Sequence, residues 1–462
     1  MMNKPPVINR ILLITALVLL GTTACAPVDP TATPVVQTTQ IIEETTTAAL
    51  TTETPRPSLG IDPAALRGRE IVTWHAFVGE TQTLFEEQVS LFNSVNEWGI
   101  IIQTEGFGDY LTLDEAMQAG AAEGDIPHLL ITLPEQALAW QAEGLVVELA
   151  PYRDDPGFGL SDTDVADFPA VFWTSTGAPA QRSARYLYYN QTWAHELGFT
   201  APPQTPEEFR QQACAANAAF KSDPDPADDG FGGWVVDDNW QTVYSWTLAF
   251  GGKSVEEGSF TLNSEGNEDA LVFLKSLYDE NCAWLPATDT PYQAFAARKA
   301  LFVSGDLAEL AAARLAISAA DSEDEWSLVP FPGTESPLAV GYGPSYTLLR
   351  SSPEEQLAAW LFARWMLSAG NQARWVETTG LLPVRYSVMD MVTPYRNAHP
   401  QWEMAALSLD LLQAPPELAA WRKARYLLED GVKTMFQVNL PVGEIPALLE
   451  QMQETALDLG GG

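Results

Sequence analysis

The sequence predicts an α/β protein of two lobes, each a mainly parallel sheet flanked by helices. A chain of 462 residues is longer than one hydrophobic core usually supports, so two lobes are expected. Strand and helix patterns alternate between residues 70 and 147, which is typical of a parallel sheet with helices on both faces. A second such run starts at Ser183, and a strand followed by amphipathic helices occupies residues 341–385.

The first run alternates short strands with helices. Apolar and β-branched residues predict its strands at 70–77, 100–105, 124–131 and 144–147. Helical spacing and capping signals predict helices at 81–93, at 109–120 and from Pro134 onward. Asp109 is expected to cap the second of these helices, which places Tyr110 in its first turn.

The second run opens with an aromatic-rich strand at 183–190. Helices are then predicted from the end of a loop at 237–240 up to Gly251 and at 267–278. Toward the C-terminus, Ser352 is a good N-cap and Pro353 stands at the first helical position. That helix is expected to end at Gly370, before a shorter helix that Gly380 terminates.

Several segments of the chain resemble the extracellular solute-binding proteins of ABC importers, a family that includes sugar and glycerophosphodiester binders. The resemblance rests on spacing, caps and breakers in the segments WHAFVGE, GDIPHLLITLPEQALAWQAEGLVVEL, YYN, PPQTPEEF and SSPEEQLAAWLFARW, the last closed by TTGLLPVR. One departure is His128, where the family commonly carries Asp. That position supports a turn, so the expected fold is unaffected.

This resemblance implies the two-lobe periplasmic-binding-protein fold. It assigns residues 60–183 plus 340–380 to an N-terminal lobe, and residues 184–339 plus 381–462 to a C-terminal lobe. Because the chain then crosses between the lobes several times, a multi-strand hinge is expected, and such a hinge permits closure over a ligand. The implied partners of this monomer are a small solute and the transmembrane permease of the importer.

The residues themselves indicate where a ligand would bind. In an open α/β sheet, ligands lie outside the carboxyl ends of the strands. Aromatic faces suit the C–H faces of a sugar, and a few polar groups can fix its hydroxyls. The loops that follow the first strands carry both types of residue, namely Phe77, Glu80, Tyr110, Thr132 and Glu135.

The resemblance adds candidate ligand contacts in the second run and on the crossing strands. In sugar-binding members, the loop matching Trp240 supplies a polar and an aromatic contact, and a cleft helix supplies an aromatic residue and an arginine. For Trp421, helix packing stays open as an alternative, and for Arg425 a structural ion pair does. The added candidates are Ser183, Asn239, Trp240, Gly341, Tyr342, Trp421 and Arg425.

The amino terminus predicts export and membrane anchoring. Basic residues precede an apolar run at 11–20, which is too short to span a bilayer comfortably, and small residues then lead to Cys25. This pattern resembles a lipobox, so residues 1–25 are expected to be a lipoprotein signal peptide with Cys25 lipidated; ordinary cleavage is the alternative. The Thr- and Pro-rich residues 26–59 are expected to form a disordered tether that holds the lobes at the outer face of the membrane.

Composition and cysteine usage limit the possible partners. With 61 acidic and 24 basic residues, the formal charge is −37, which disfavours nucleic acid because phosphate binding needs basic stripes. Cys214 and Cys282 are expected either to form a disulfide or to be buried free thiols. The sequence has no Cys/His cluster with metal-ligand spacing, so neither a metal nor another cofactor is expected.

Catalytic motifs in the sequence are incomplete. His195-Glu196 lacks the second His of a zinc-protease helix, and Gly343-Pro344-Ser345 is not followed by the second Gly of a nucleophile elbow. The predicted function is therefore not catalysis but capture of a small polar solute, most readily a carbohydrate. Two alternatives stay open: a glycerol-phosphate-type ligand paired with Arg425, and a secreted carbohydrate-active enzyme that uses two carboxylates.

Overall fold

The computed structural model describes residues 58–286, 291–437 and 439–460. The predicted signal peptide, the lipidation site Cys25 and the predicted tether up to residue 57 lie outside these described residues. Within them, every helix is too short or too polar to cross a membrane. The first part contains β1 (Glu70–His75), α1 (Gly79–Val95), β2 (Ile101–Gly106), α2 (Tyr110–Glu123), β3 (Leu129–Thr132), α3 (Pro134–Ala142), α4 (Ala150–Arg153), α5 (Asp162–Ala166) and β4 (Ala178–Pro179).

The middle part of the chain supplies most of a second sheet. Its elements are β5 (Ser183–Asn190), α6 (Gln191–Glu196), α7 (Pro206–Lys221), β6 (Trp234–Val235), α8 (Trp240–Ala249), β7 (Val255–Glu256), β8 (Ser259–Phe260), α9 (Glu265–Asp279), β9 (Ala283–Trp284), α10 (Pro291–Ala296), β10 (Phe302–Asp306), α11 (Leu310–Ala319), β11 (Trp326–Val329) and β12 (Ala339–Tyr342).

The last part returns to the first sheet and ends in helices. Its elements are β13 (Ser345–Leu348), α12 (Pro353–Met366), α13 (Ala369–Thr379), α14 (Val388–Met391), α15 (Thr393–Ala398), α16 (Pro400–Ala406), β14 (Leu412–Gln413), α17 (Trp421–Gln437) and α18 (Ile445–Gly460).

Two sheets define two lobes. The first sheet has the strand order β2-β1-β3-β13-β4, and we call it the first lobe together with α1–α5, α12 and α13. The second sheet has the order β14-β12-β5-β10-β6-β9, with β11 also paired to β5, and we call it the second lobe together with α6–α11, α17 and α18. The residue boundaries that the sequence predicts between the lobes remain a prediction.

The sheets differ in strand direction. In the first sheet β1 is parallel to β2 and β3, as predicted, and the returning strand β13 is antiparallel to β3. The second sheet is mixed rather than mainly parallel, because β5 pairs antiparallel with β10, β11 and β12. The pairing of β5 with β12 has a topological reason: the chain leaves the first lobe along β5 and comes back along β12, so the two must run in opposite directions.

Local capping signals determine most of the helix starts. Ser352 caps α12 through a reciprocal bond with Glu355, and Pro353 occupies its first turn, as the sequence predicts. Asp109 caps α2 by accepting a hydrogen bond from the Thr112 amide. The predicted stop at Gly370 is wrong, because α12 already ends at Met366 and Gly370 lies inside α13.

A disulfide joins Cys214 on α7 to Cys282 beside β9. The pair closes a loop of 68 residues in sequence separation within the second lobe. Such a crosslink stabilises a fold mainly by restricting the unfolded chain. The structure therefore favours the disulfide over the two free thiols that the sequence left as an alternative.

A buried histidine makes the first lobe sensitive to acid. His75 is 1% exposed, its Nδ1 accepts a hydrogen bond from the Phe77 amide, and its ring packs against Phe77 and Phe85. Burial lowers the pKa of His75 from 6.5 to about 4. Between these pH values the unfolded chain binds a proton at His75 that the folded chain does not bind.

We therefore expect the free energy of unfolding to fall as the pH decreases from 6.5 toward 4, and to lose no more through His75 below that range. The variant His75→Asn keeps an acceptor near the Phe77 amide but does not titrate. Urea unfolding of both proteins at pH 7, 5.5 and 4.5 measures the effect as a stability difference that changes with pH. Parallel pH profiles for the two proteins would contradict the assignment of this effect to His75.

Candidate functional site

A cavity of about 270 Å³ lies between the two lobes. The N-terminal ends of four helices reach it: α2 with Tyr110, α3 with Pro134 and Glu135, α8 with Trp240, and α17 with Trp421. The hinge strands supply its floor, with Gly341 and Tyr342. Strand ends and helix starts meet at this cavity. This is the position at which open α/β sheets bind ligands, outside the carboxyl ends of their strands.

The second lobe gives the cavity an aromatic wall. The ring of Trp240 lies 5.9 Å from Trp421 and 6.3 Å from Tyr342, and Tyr244 packs behind Trp421 at 5.2 Å. Trp421 is fully buried and Trp240 is 8% exposed, so packing fixes both rings. Trp421 therefore packs between helices, as the alternative supposed, and it also lines the cavity.

The first lobe contributes Tyr110 through a chain of hydrogen bonds. Thr132 Oγ1 donates to Gln136 Oε1 at 2.6 Å, and Gln136 Nε2 donates to the Tyr110 carbonyl at 2.9 Å. Thr132 is 2% exposed and lies outside the cavity, so it positions Tyr110 instead of lining the cavity itself. Burial raises the pKa of the Tyr110 hydroxyl, which therefore stays neutral at physiological pH.

An ion pair between the lobes lines one side of the cavity. Arg425 Nη1 lies 2.5 Å from Glu135 Oε1, and their side chains are 15% and 9% exposed. The guanidinium of Arg425 also lies 5.2 Å from the ring centroids of Trp240 and Tyr426, a distance typical of cation–π contacts. The charge of Arg425 is thus compensated by Glu135, as the structural ion-pair alternative supposed, although both residues line the cavity.

Three polar atoms of cavity-lining residues have no partner within the described chain. Trp421 Nε1 and Arg425 Nε are donors, and Gln241 Oε1 is an acceptor. Buried polar groups in native proteins are almost always hydrogen-bonded. Residues that line the cavity therefore carry buried hydrogen-bonding groups that the described part of the protein leaves unused.

The chain segments that cross between the lobes form the hinge, and a buried arginine lies where they meet. Arg182 is 3% exposed, and its guanidinium donates to the carbonyls of Phe172, Gln181 and Pro344 and to Ser345 Oγ. Burial lowers the pKa of Arg182 to about 9, so the group is cationic at physiological pH. Its own carbonyl accepts from the Leu382 amide, so three crossings of the chain meet at this residue.

Gly343 allows these crossings to pass close together. Its φ of 151° is a conformation that residues with a side chain rarely adopt. A Cβ at this position would lie 2.3 Å from the Gln181 carbonyl oxygen. The break between β12 and β13 therefore requires glycine, and it separates one β-prone segment of the sequence into strands of two different sheets.

Four more of the residues proposed from the sequence also lie outside the cavity. Phe77 is 4% exposed and packs in the first-lobe core against Phe85 and Trp375, and Glu80 is an exposed residue in the first turn of α1. Ser183 is buried opposite Tyr342 in the sheet, and Asn239 caps α8 by accepting from the Gln241 amide. The cavity brings together the other seven, which are Tyr110, Glu135, Trp240, Gly341, Tyr342, Trp421 and Arg425.

Several cavity residues had no signal that sequence analysis recognised. Arg182 lies between Gln181 and Ser183 in the crossing segment, and only the tertiary structure shows what it contacts. The loop that precedes α17 has no hydrophobic period, so nothing marked it. The cavity residues that the sequence analysis missed are Leu133, Pro134, Val171, Thr174, Arg182, Gln241, Gly343, Ala414, Pro415, Pro416 and Glu417.

The sequence profile of the family described as bacterial extracellular solute-binding protein matches residues 87–406. This match covers well over half of the chain. The chain is a bacterial extracellular solute-binding protein. The resemblance on which the sequence analysis rested is thereby confirmed. No curated protein matches this solute-binding protein in sequence.

Solved structures of other binding proteins share the fold of this solute-binding protein. The cyclic α-maltosyl-1,6-maltose binding protein from Arthrobacter globiformis has a TM-score of 0.69 at 17% identity, covering 85% of this chain and 99% of its own. The sugar-binding protein MalE from Xanthomonas citri has a TM-score of 0.70 at 16% identity, with coverages of 85% and 97%. UgpB from Mycobacterium tuberculosis, in complex with glycerophosphocholine, has a TM-score of 0.66 at 18% identity, with coverages of 84% and 98%. At these identities the comparisons show a common two-lobe fold.

Proposed function

We propose that this solute-binding protein captures a small neutral carbohydrate between its lobes and delivers it to the permease of an ABC importer. The observation that carries the proposal is the composition of the cavity walls. Trp240, Trp421, Tyr342 and Tyr110 present aromatic surface, and aromatic faces suit the C–H faces of a sugar ring. Gln241, Glu417 and Arg425 line the cavity beside these rings, and such polar side chains suit hydroxyl groups, each of which donates and accepts.

The charge balance of the cavity favours a neutral ligand over a glycerol phosphate. Arg425 already pairs with Glu135, so its charge is not free for a phosphate. Arg182, the other cation on the wall, uses both terminal nitrogens of its guanidinium for protein oxygens. A phosphate would have to displace Glu135 from Arg425, whereas a neutral sugar needs no cation and leaves the pair intact.

The cavity size favours a short ligand. Pockets for small molecules usually enclose about 300–1,000 Å³. At about 270 Å³, this one is near the lower end. A mono- or short oligosaccharide therefore fits the proposal better than a long maltodextrin.

The fold neighbours are consistent with this ligand class. Their descriptions name binding of cyclic maltosyl-maltose, acarbose and its homolog, α-D-tagatose, cycloalternan and maltotriose, as well as glycerophosphocholine. We carry over to this chain only the class, a hydroxyl-rich small solute. In the family context, closure of the lobes would trap the solute and the closed protein would dock on the permease.

We also propose that the protein is a monomer tethered to the outer face of the cytoplasmic membrane. The support is the lipobox-like sequence at Cys25 and the Thr- and Pro-rich residues that follow it. The described part of the chain starts at residue 58, at the end of this segment, and the Leu59 amide donates to Asp155 of the first lobe. Mass spectrometry of the protein from its native membrane would test the lipid on Cys25.

Thermal unfolding in the presence of candidate solutes tests the ligand class. Glucose, α-D-tagatose, maltose and maltotriose are compared with glycerol 3-phosphate and glycerophosphocholine, all at neutral pH. We expect at least one sugar to raise Tm in a saturable way, since a ligand at 100 times its Kd adds about 2.7 kcal/mol of stability. Stabilisation by the two phosphate compounds alone would overturn the proposal of a neutral sugar.

The same samples separate binding from catalysis. A solute-binding protein returns its sugar unchanged, so chromatography after long incubation is expected to show the starting sugar only. Release of a smaller sugar would support the carbohydrate-active enzyme instead, and it would direct attention to Glu135 and Glu417, the two carboxylates on the cavity wall.

A further inference from the structure

The two lobes are also joined by an ion pair outside the cavity. Arg422 Nη1 lies 2.6 Å from Asp114 Oδ2, and neither residue lines the cavity. Arg422 belongs to α17 of the second lobe, and Asp114 belongs to α2 of the first. The contact therefore exists only while the lobes are together.

The setting of this pair makes the Asp114 carboxylate more dependent on its partner than a carboxylate in an ordinary surface ion pair. The Asp114 side chain is 6% exposed and that of Arg422 is 32% exposed, so the carboxylate is largely removed from water. Gln118 Nε2 also donates to the same oxygen of Asp114 at 3.3 Å, while the other oxygen, Oδ1, is buried without a hydrogen-bond partner among the described residues. Exposed pairs contribute about 0–1 kcal/mol to stability. Removing one partner of a pair with a buried charge costs more, because the remaining charge stays buried without compensation.

Helix α17 presents its two arginines to the first lobe from one face. Arg422 and Arg425 are three residues apart, which places them on neighbouring positions of the helix surface. Arg425 reaches Glu135 at the start of α3, and the Ser175 amide of the first lobe donates to Glu417, just before α17, at 3.1 Å. The polar contacts around the closed cleft are thus concentrated on the beginning of one helix.

We propose that Arg422 and Asp114 form a latch that sets the balance between open and closed lobes without touching the solute. The pair stabilises the closed arrangement whether or not the cavity is filled. Solute affinity then depends on these two residues, because the apparent Kd of a ligand rises as the binding-competent fraction of the protein falls. Salt weakens the latch by screening it.

The test measures the distance between the lobes in the absence of any solute. Spin labels are attached to Ala122→Cys on α2 and Thr434→Cys on α17, two exposed positions, in a full chain that carries Cys25→Ser. Pulsed electron paramagnetic resonance then gives the populations of short and long distances. Because no solute is added, the outcome is independent of the proposed carbohydrate function.

We expect Arg422→Gln and Asp114→Asn each to lower the ratio of closed to open protein about three- to tenfold. The double variant should lower it no further than either single change, since both remove the same contact. Raising the salt concentration from 0.05 to 1 M should reduce the closed population of the protein with the intact Arg422–Asp114 pair more than that of the variants.

Arg210→Gln is the matched control. Arg210 pairs with Glu280 within the second lobe, so this change removes an arginine–carboxylate pair without affecting the contact between lobes. Distance distributions of the latch variants that equal those of Arg210→Gln and of the parent would overturn the proposal. Additive effects of Arg422→Gln and Asp114→Asn would overturn it as well, because they would show that the two side chains act separately.

Discussion

Replacement of Trp240 by alanine is expected to lower the affinity for the bound sugar by roughly 1–3 kcal/mol, a loss of about 5- to 150-fold. Trp240 contributes the cavity wall beside Tyr342 and Trp421, and it also supports the guanidinium of Arg425. Removal of the indole takes away the stacking surface and frees Arg425 to move. Calorimetric titration with the sugar that gives the largest thermal stabilisation measures the change.

Trp284→Ala serves as the control for this measurement. Trp284 belongs to the same lobe, is partly buried against Phe231 and does not line the cavity, so its loss should leave the affinity unchanged. Trp421→Ala is expected to weaken binding by a similar amount, but Trp421 is fully buried and its loss also lowers the free energy of unfolding. Equal affinities for Trp240→Ala, Trp421→Ala and the parent protein would place the binding site elsewhere.

Sequence was sufficient for elements whose signals are local. Ser352, Pro353 and Glu355 lie within four residues, and together they determine where α12 begins. The break between β12 and β13 could not be predicted in the same way, because each β-prone half is equally suited to either sheet. What separates them is the close approach of Gly343 to the Gln181 carbonyl, which depends on the tertiary structure.

For the candidate site too, the sequence was sufficient where the signal is local and insufficient where the tertiary structure decides. Tyr110 and Glu135 were found because they begin helices that follow parallel strands, and that rule of sheet geometry is visible in sequence. The same rule selected Phe77, but His75, Phe85 and Trp375 pack around its ring and hold it in the core. Sequence patterns do not distinguish an aromatic residue that faces a cleft from one that faces its own lobe.

Long-range charge pairing was beyond prediction for a related reason. Glu135 and Arg425 are 290 residues apart and belong to different lobes. Glu135 was proposed as a ligand contact from its place after the third strand, and Arg425 from the resemblance, with a structural ion pair as its alternative. Nothing in the sequence indicates that these two residues are each other's partner. Their pairing argues against the glycerol-phosphate alternative and supports the neutral carbohydrate that the sequence analysis predicted.

Arg182→Met is expected to cost about 2–4 kcal/mol of the free energy of unfolding and to disturb the hinge. The carbonyls of Phe172 and Gln181 lose their donor, whereas that of Pro344 keeps the Ala180 amide, and an unsatisfied buried group costs about 1–3 kcal/mol. The gain from no longer burying a charge offsets part of this cost. Urea unfolding monitored by far-ultraviolet circular dichroism measures the loss.

Arg364→Met separates the hinge effect from a general loss of stability. Arg364 is also a partly buried arginine that donates to carbonyls, those of Phe158 and Gly159, but all of these groups lie in the first lobe. Both variants should lose stability, whereas only Arg182→Met should broaden the distance distribution between labels on the two lobes. Arg182 contacts segments on each crossing between the lobes, so its loss allows these segments to shift relative to one another. Equal broadening in the two variants would mean that Arg182 supports the fold in general and does not define the hinge.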